Sequence, residues 1–158
     1  MAAGLRAFVP DPHRNQLIAE IDGVRYVDDS KATNPHAAAA SLAAYPRVVW
    51  IAGGQLKGTD IEPLVAEHAG RFVGAVLLGV DRGTISDALS RHAPDLPVIE
   101  VASNDDGAMH ETVAAATSLA HAGDVVLLAP AAASKDMFAS YGARGLAFQA
   151  AVRALSGR

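Results

Sequence analysis

The residues able to do chemistry crowd into three short stretches. These are Asp28-Asp29-Ser30-Lys31-Ala32-Thr33-Asn34-Pro35-His36, Gly53-Gly54-Gln55-Leu56-Lys57-Gly58-Thr59 and Ala129-Pro130-Ala131-Ala132-Ala133-Ser134-Lys135-Asp136. The first packs two carboxylates, a lysine and two hydroxyls into a space where a turn needs none of them. Asn34 is a favoured N-cap and Pro35 suits the first helical position, so this stretch leads into a helix N-terminus, which attracts anions. Taken alone, it also reads as an ordinary polar strand-to-helix loop. The second stretch nearly imitates the phosphate-cradling G-x-x-x-x-G-K-[ST] loop, but Lys57 comes before the glycine and Thr59 stands in the lysine position. Its glycines still let backbone approach a ligand closely, and Lys57 offers a point charge. In the third stretch small residues lead to Ser134, read either as the cap of a short helix through Met137 and Phe138 or as a hydroxyl at a carboxylate seat. No histidine has metal-site spacing, so no metal ligand is assigned. Ser134 has no evident base, and no G-x-G-x-x-G follows a strand.

Alternating strands and helices must position these stretches. Gln16–Ile21 and Val24–Asp28 flank Asp22-Gly23, a strong two-residue hairpin signal, so the first strand runs antiparallel to the second. A helix is expected over 35–45, then a buried strand over 47–52. Thr59 with Glu62 fits a capping box opening a helix to about Ala69. A strand over 72–80, a helix over 82–92 and a short strand over 97–101 follow. Asn104 or Asp105 would cap a helix running to Ala122 with Gly123 at C′, then come an apolar strand over 124–128 and a last helix over 144–155. Apolar strands alternating with helices imply an α/β, Rossmann-like fold: a mostly parallel sheet of about six strands, one antiparallel hairpin strand, and helices on both faces. In such a sheet the carboxyl ends of the strands share one edge, where open α/β proteins bind ligands. All three stretches follow strands, so they should converge there.

The bulk numbers set limits. One domain is the natural reading of 158 residues, with 51% hydrophobic content and only 5% aromatic, hence an aliphatic core. A net charge of −4 gives no electrostatic case for nucleic acid or anionic membrane. Cysteine is absent, which excludes disulfides and thiolate metal sites. No apolar run is long enough to span a membrane or serve as a signal peptide, so a cytoplasmic location is expected. Residues 1–15 are proline-broken and read as a linker, with the domain proper over 16–158.

Together the stretches resemble the C-terminal domain of the Mur ligase family, in its D-glutamate-adding branch. The resemblance rests on Pro12-His13-Arg14, Asp28-Asp29-Ser30-Lys31-Ala32-Thr33-Asn34, Gly53-Gly54-x-x-Lys57, Pro130-x-x-x-Ser134-x-Asp136-x-Phe138 and Arg144-Gly145-x-x-Phe148. The Ser-Lys-Ala-Thr-Asn run is its most specific part. The resemblance implies a domain that binds the incoming amino acid and closes over ATP held by a central domain, in a ligase joining D-glutamate to UDP-N-acetylmuramoyl-L-alanine through an acyl phosphate. It places Arg14, Asp29 and Lys31 at ATP, with Lys31 also beside the acyl phosphate as the catalytic residue. Thr33, Lys57, Ser134 and the backbone at Tyr141 would hold the two carboxylates of D-glutamate. It further implies that Mg²⁺ is held mainly by the central domain, that residues 1–15 arrive from that domain, and that this chain does not catalyse alone. Two departures stand out: Ala129 and Ala132 replace residues that are often Ser and Cys, and Tyr141 stands where Phe is common. A stand-alone α/β module binding a small anionic or nucleotide ligand is the competing reading; a P-loop upstream in the same reading frame separates the two.

Overall fold

The computed structural model describes residues 12–156, so most of the expected linker lies outside the described residues. Within them, β1 (Gln16–Ile21) and β2 (Val24–Asp28) form the antiparallel hairpin, with an irregular register between Leu17 and Ala19. Asp22 and Gly23 both take positive φ, 53° and 81°, the left-handed pair that a tight primed turn demands. The chain then alternates through α1 (Pro35–Leu42), β3 (Val48–Gly53), α2 (Glu62–His68), β4 (Phe72–Leu78), α3 (Arg82–His92), β5 (Val98–Glu100), α4 (Ala108–Leu119), β6 (Val125–Leu128) and α5 (Tyr141–Ser156). A 3₁₀ turn, Ala69–Arg71, joins α2 to β4.

The sheet has six strands in the order β1-β2-β6-β3-β4-β5, parallel everywhere except β1 with β2. The strand β6 lies between β2 and β3, and Val125–Leu128 is buried throughout. Alternate residues of these strands feed two cores. One holds Trp50, Leu77 and Leu127 with Leu42 of α1, Leu64 of α2 and Leu89 of α3. The other holds Ile51, Val76 and Leu128 with Met109 of α4 and Phe148 of α5. Helices therefore cover both faces, as expected of a sheet whose strands are apolar on both sides. Trp50 satisfies its indole N–H on the Ala129 carbonyl at 2.8 Å and stacks on Phe72, centroids 5.0 Å apart.

Several boundaries differ from the sequence reading, each for a local reason. The helix α1 ends at Leu42, and i+3 bonds from Ala44 and Tyr45 tighten the turn beyond it. Thr59 opens no helix; the Asp60 carboxylate accepts the Glu62 N–H at 3.0 Å, and α2 begins there. Asp105 accepts the Gly107 N–H at 3.0 Å, and α4 starts only at Ala108 and stops at Leu119 because Ala120 turns extended. Gly123 (φ 97°) donates to the Gly23 carbonyl at 2.9 Å in the turn before β6 rather than capping α4. The short helix after Ser134 is absent: its carbonyl accepts from Met137 and Phe138, a single turn that goes no further. Instead α5 begins at Tyr141, three residues before the expected start, with the Ser140 hydroxyl accepting the Ala143 N–H at 3.0 Å.

Candidate functional site

Because β2, β6 and β3 are neighbours, the loops that leave them lie side by side at the carboxyl edge. Backbone hydrogen bonds tie them together. Ala131 donates to the Ala32 carbonyl at 2.9 Å, joining the first loop to the third. Gln55 and Ala133 exchange two bonds of 2.9 Å, joining the second loop to the third. Gly54 permits that contact: at φ 131°, a Cβ there would lie 2.2 Å from the Ala133 carbonyl oxygen. Thr33, Lys57 and Ser134 thus stand one or two residues from the tied positions. Thr33 is half-buried, Ser134 buried, and Lys57 exposed with a left-handed φ of 54°. Ser134 has no helix N-terminus behind it, so its hydroxyl, not a helix dipole, is what that loop offers an anion. Two clefts border these loops, and none of Thr33, Lys57 and Ser134 lines either of them.

The first cleft, about 300 Å³, is lined by Arg14, Asn15, Asp29 and Lys31 against a wall of Ala32, Ala37, Ala40 and Ala44 from the first loop and α1. It brings together the three residues that the resemblance assigns to ATP. Asp29 is buried, and that burial raises its carboxyl pKa. The Ser41 hydroxyl, near it but outside proper bonding geometry, counters this, as do the Asn15 N–H at 3.0 Å and Arg14; Asp28 adds to the rise. An apolar wall of small side chains beside a carboxylate, a guanidinium and an ammonium can receive a ligand with a flat part and anionic groups.

A second cleft, about 440 Å³, is lined by Pro12, His13, Lys31, Ser140, Tyr141 and Gly142. Lys31 thus borders both. Behind it lies a buried polar network that the sequence reading missed. Asp28, with no exposed surface, accepts His13 Nδ1 at 2.6 Å, the Ser30 N–H at 2.9 Å and Gln149 Nε2 at 3.0 Å. Arg144, 2% exposed, donates Nε to Ser30 Oγ (2.9 Å), Nη2 to the Ser30 carbonyl (2.8 Å) and Nη1 to the Ala132 carbonyl (3.0 Å). Ser30 Oγ in turn donates to the Tyr141 carbonyl at 2.7 Å. Burial lowers the Arg144 pKa to about 10, opposed by Asp136 and Asp28, so the guanidinium stays charged at neutral pH. Helix spacing held the signal for Arg144: it lies four residues from buried Phe148 and eight from Val152, on the stripe that faces the sheet. His13 stands in the Pro12-His13-Arg14 run on which the resemblance rests, but the segment around it reads as linker and gave it no role.

A six-stranded α/β sheet with its loops gathered at one carboxyl edge is the fold, and the chain belongs to the Mur ligase glutamate ligase domain family, whose model residues 13–132 match. Over 154 residues it is 64% identical to UDP-N-acetylmuramoylalanine–D-glutamate ligase of Thermobifida fusca, spanning 98% of this chain and 33% of that protein. The ligase of the same name from Streptomyces avermitilis is 59% identical over 152 residues, 96% of this chain and 32% of that one. The chain therefore spans about a third of the length of the curated relatives it matches. The crystal structure of a UDP-N-acetylmuramate–alanine ligase from Thermotoga maritima shares the fold, with a TM-score of 0.61 at 15% identity over 99% of this chain and 33% of that one.

Proposed function

We propose that this chain is the amino-acid-binding domain of an ATP-dependent ligase that joins D-glutamate to UDP-N-acetylmuramoyl-L-alanine in peptidoglycan synthesis, in the cytoplasm. The observation that carries the proposal is Lys31, which borders both the cleft lined by Arg14 and Asp29 and the cleft under Tyr141. Arg14, Asp29 and Lys31 would hold ATP, which supplies the phosphoryl group that turns the acceptor carboxylate into an acyl phosphate. Lys31 neutralises charge on that phosphate. Thr33, Lys57, Ser134 and the Tyr141 backbone hold the two carboxylates of D-glutamate, and orientation of its amine is this domain's contribution to rate. Among the described residues no cluster of three or more His, Asp or Glu side chains could hold a metal ion. The family resemblance assigns Mg²⁺ mainly to the central domain, together with the remaining phosphate machinery.

The test is ADP release by the full-length enzyme carrying this domain, with and without D-glutamate and the muramoyl substrate. Release that requires both, with none from residues 1–158 alone, supports the proposal. Release by the isolated chain, or indifference to D-glutamate, refutes it.

A further inference from the structure

Nucleophilic attack needs a neutral amine, yet an amino acid carries ammonium at neutral pH, so a proton acceptor must face the reacting nitrogen. We propose that His13, held by Asp28, is that general base; this rests on the function proposed for the domain. The Asp28 carboxylate lies 2.6 Å from Nδ1 and is itself fixed by Ser30 and Gln149, so it holds the imidazole with its proton on Nδ1 and its lone pair on Nε2. Gly145 seals the Nδ1 side of the ring, where any Cβ would lie 2.2 Å from that nitrogen. The Nε2 side lies toward Gly142, which lines the second cleft together with His13. Tyr141 meets the ring edge-on with centroids 6.5 Å apart. The titratable or charged groups around His13 are Asp28 from β2, Lys31 from the first loop and Tyr141 from α5, with neutral Gln149 behind. The imidazole therefore opens between the lysine assigned to the acyl phosphate and the residue assigned to D-glutamate.

In the step, Nε2 takes one proton from the ammonium, and the freed lone pair forms the N–C bond at the acyl carbon. The C–O bond to phosphate breaks, phosphate leaves with that electron pair, and the second proton of the nitrogen passes to the departing phosphate, which leaves the neutral amide. The imidazolium then returns its proton to solvent.

The experiment uses the full-length ligase and His13→Gln. Hydroxylamine, already neutral at pH 7, serves as an alternative nucleophile that needs no base. The variant is expected to lose about 100-fold or more in kcat with D-glutamate at pH 7. It should recover much of that loss by pH 9.5, keep its KM for ATP within about twofold, and form hydroxamate at the wild-type rate. Equal loss with both nucleophiles, or an unchanged pH profile with D-glutamate, overturns the assignment. Should the variant not fold, carbethoxylation of wild-type His13 by diethyl pyrocarbonate, located by mass spectrometry, decides. Ligation that survives full modification overturns the proposal; loss of ligation with hydroxamate formation intact supports it. A wild-type enzyme that makes no D-glutamate product refutes the functional reading itself, whereas a ligating enzyme indifferent to His13 refutes only this inference.

Discussion

Replacing Arg144 with methionine, close in volume and without donors, tests whether α5 fastens the loops. The substitution leaves the carbonyls of Ser30 and Ala132 without the donors that now reach them at 2.8 and 3.0 Å. Each buried acceptor left alone costs about 1–3 kcal/mol, and removal of a buried charge returns part of the sum. The net loss should be about 3 kcal/mol, or roughly 6–12 °C in Tm for a domain of this size. Arg144→Lys keeps the charge but not the planar fork, and should lose about half as much. Urea unfolding of the chain and both variants gives the difference, and the Ala131 amide, bonded to Ala32 across the two loops, should exchange hydrogen faster in both. A loss below about 1 kcal/mol for methionine, or a lysine variant as stable as the parent, would refute the reasoning.

In the full-length enzyme, Lys57→Ala should raise the KM for D-glutamate about 10- to 150-fold, from the loss of a charge-assisted contact of about 1.5–3 kcal/mol, and leave that for ATP nearly unchanged. Asp29→Ala should do the reverse, and equal damage to both substrates by both variants would remove the division of roles. Gly54→Ala should destabilise the chain by about 2 kcal/mol or more, since it strains φ and strikes the Ala133 carbonyl; calorimetry checks it. His68 is buried with neither ring nitrogen hydrogen-bonded, and burial lowers its pKa below 6.5 although the Glu67 carboxylate, 3.8 Å from Nε2, opposes the shift. Its neutral form is thus favoured by folding while the unfolded chain takes up the proton, so stability should fall as pH drops through 6.5 toward the folded pKa. His68→Leu should flatten that stretch of the stability–pH curve.

The strands and the convergence of the loops were legible because their causes are local or topological. Asp22-Gly23 dictates a hairpin, unbroken apolar runs such as Val125–Leu128 dictate strands buried on both faces, and parallel strands put their exits on one edge. Helix starts were less legible because several polar residues compete for each: Asp60, not Thr59, serves α2, and Asp105 serves a turn ahead of α4. The helix expected after Ser134 fails where loop geometry, tied to Gln55, fixes the backbone first. The buried network was hidden because it joins residues up to 136 positions apart, such as His13 with Gln149, and nothing in either's neighbourhood announces the other.

The place of β6 in the sheet carries a consequence for how the chain folds. Strands β2 and β3 do not pair with each other; each pairs with Val125–Leu128, which is made after more than three quarters of the sequence. Until that segment leaves the ribosome, the hairpin and the β3–β5 ribbon are separate pieces, each with an apolar edge open to solvent. Such edges invite mispairing, and the long loop closure needed to join them makes the last step slow. The carboxyl edge where the three loops meet is therefore completed only with β6, and a product released short of Leu128 would hold two half-sheets with nothing between them.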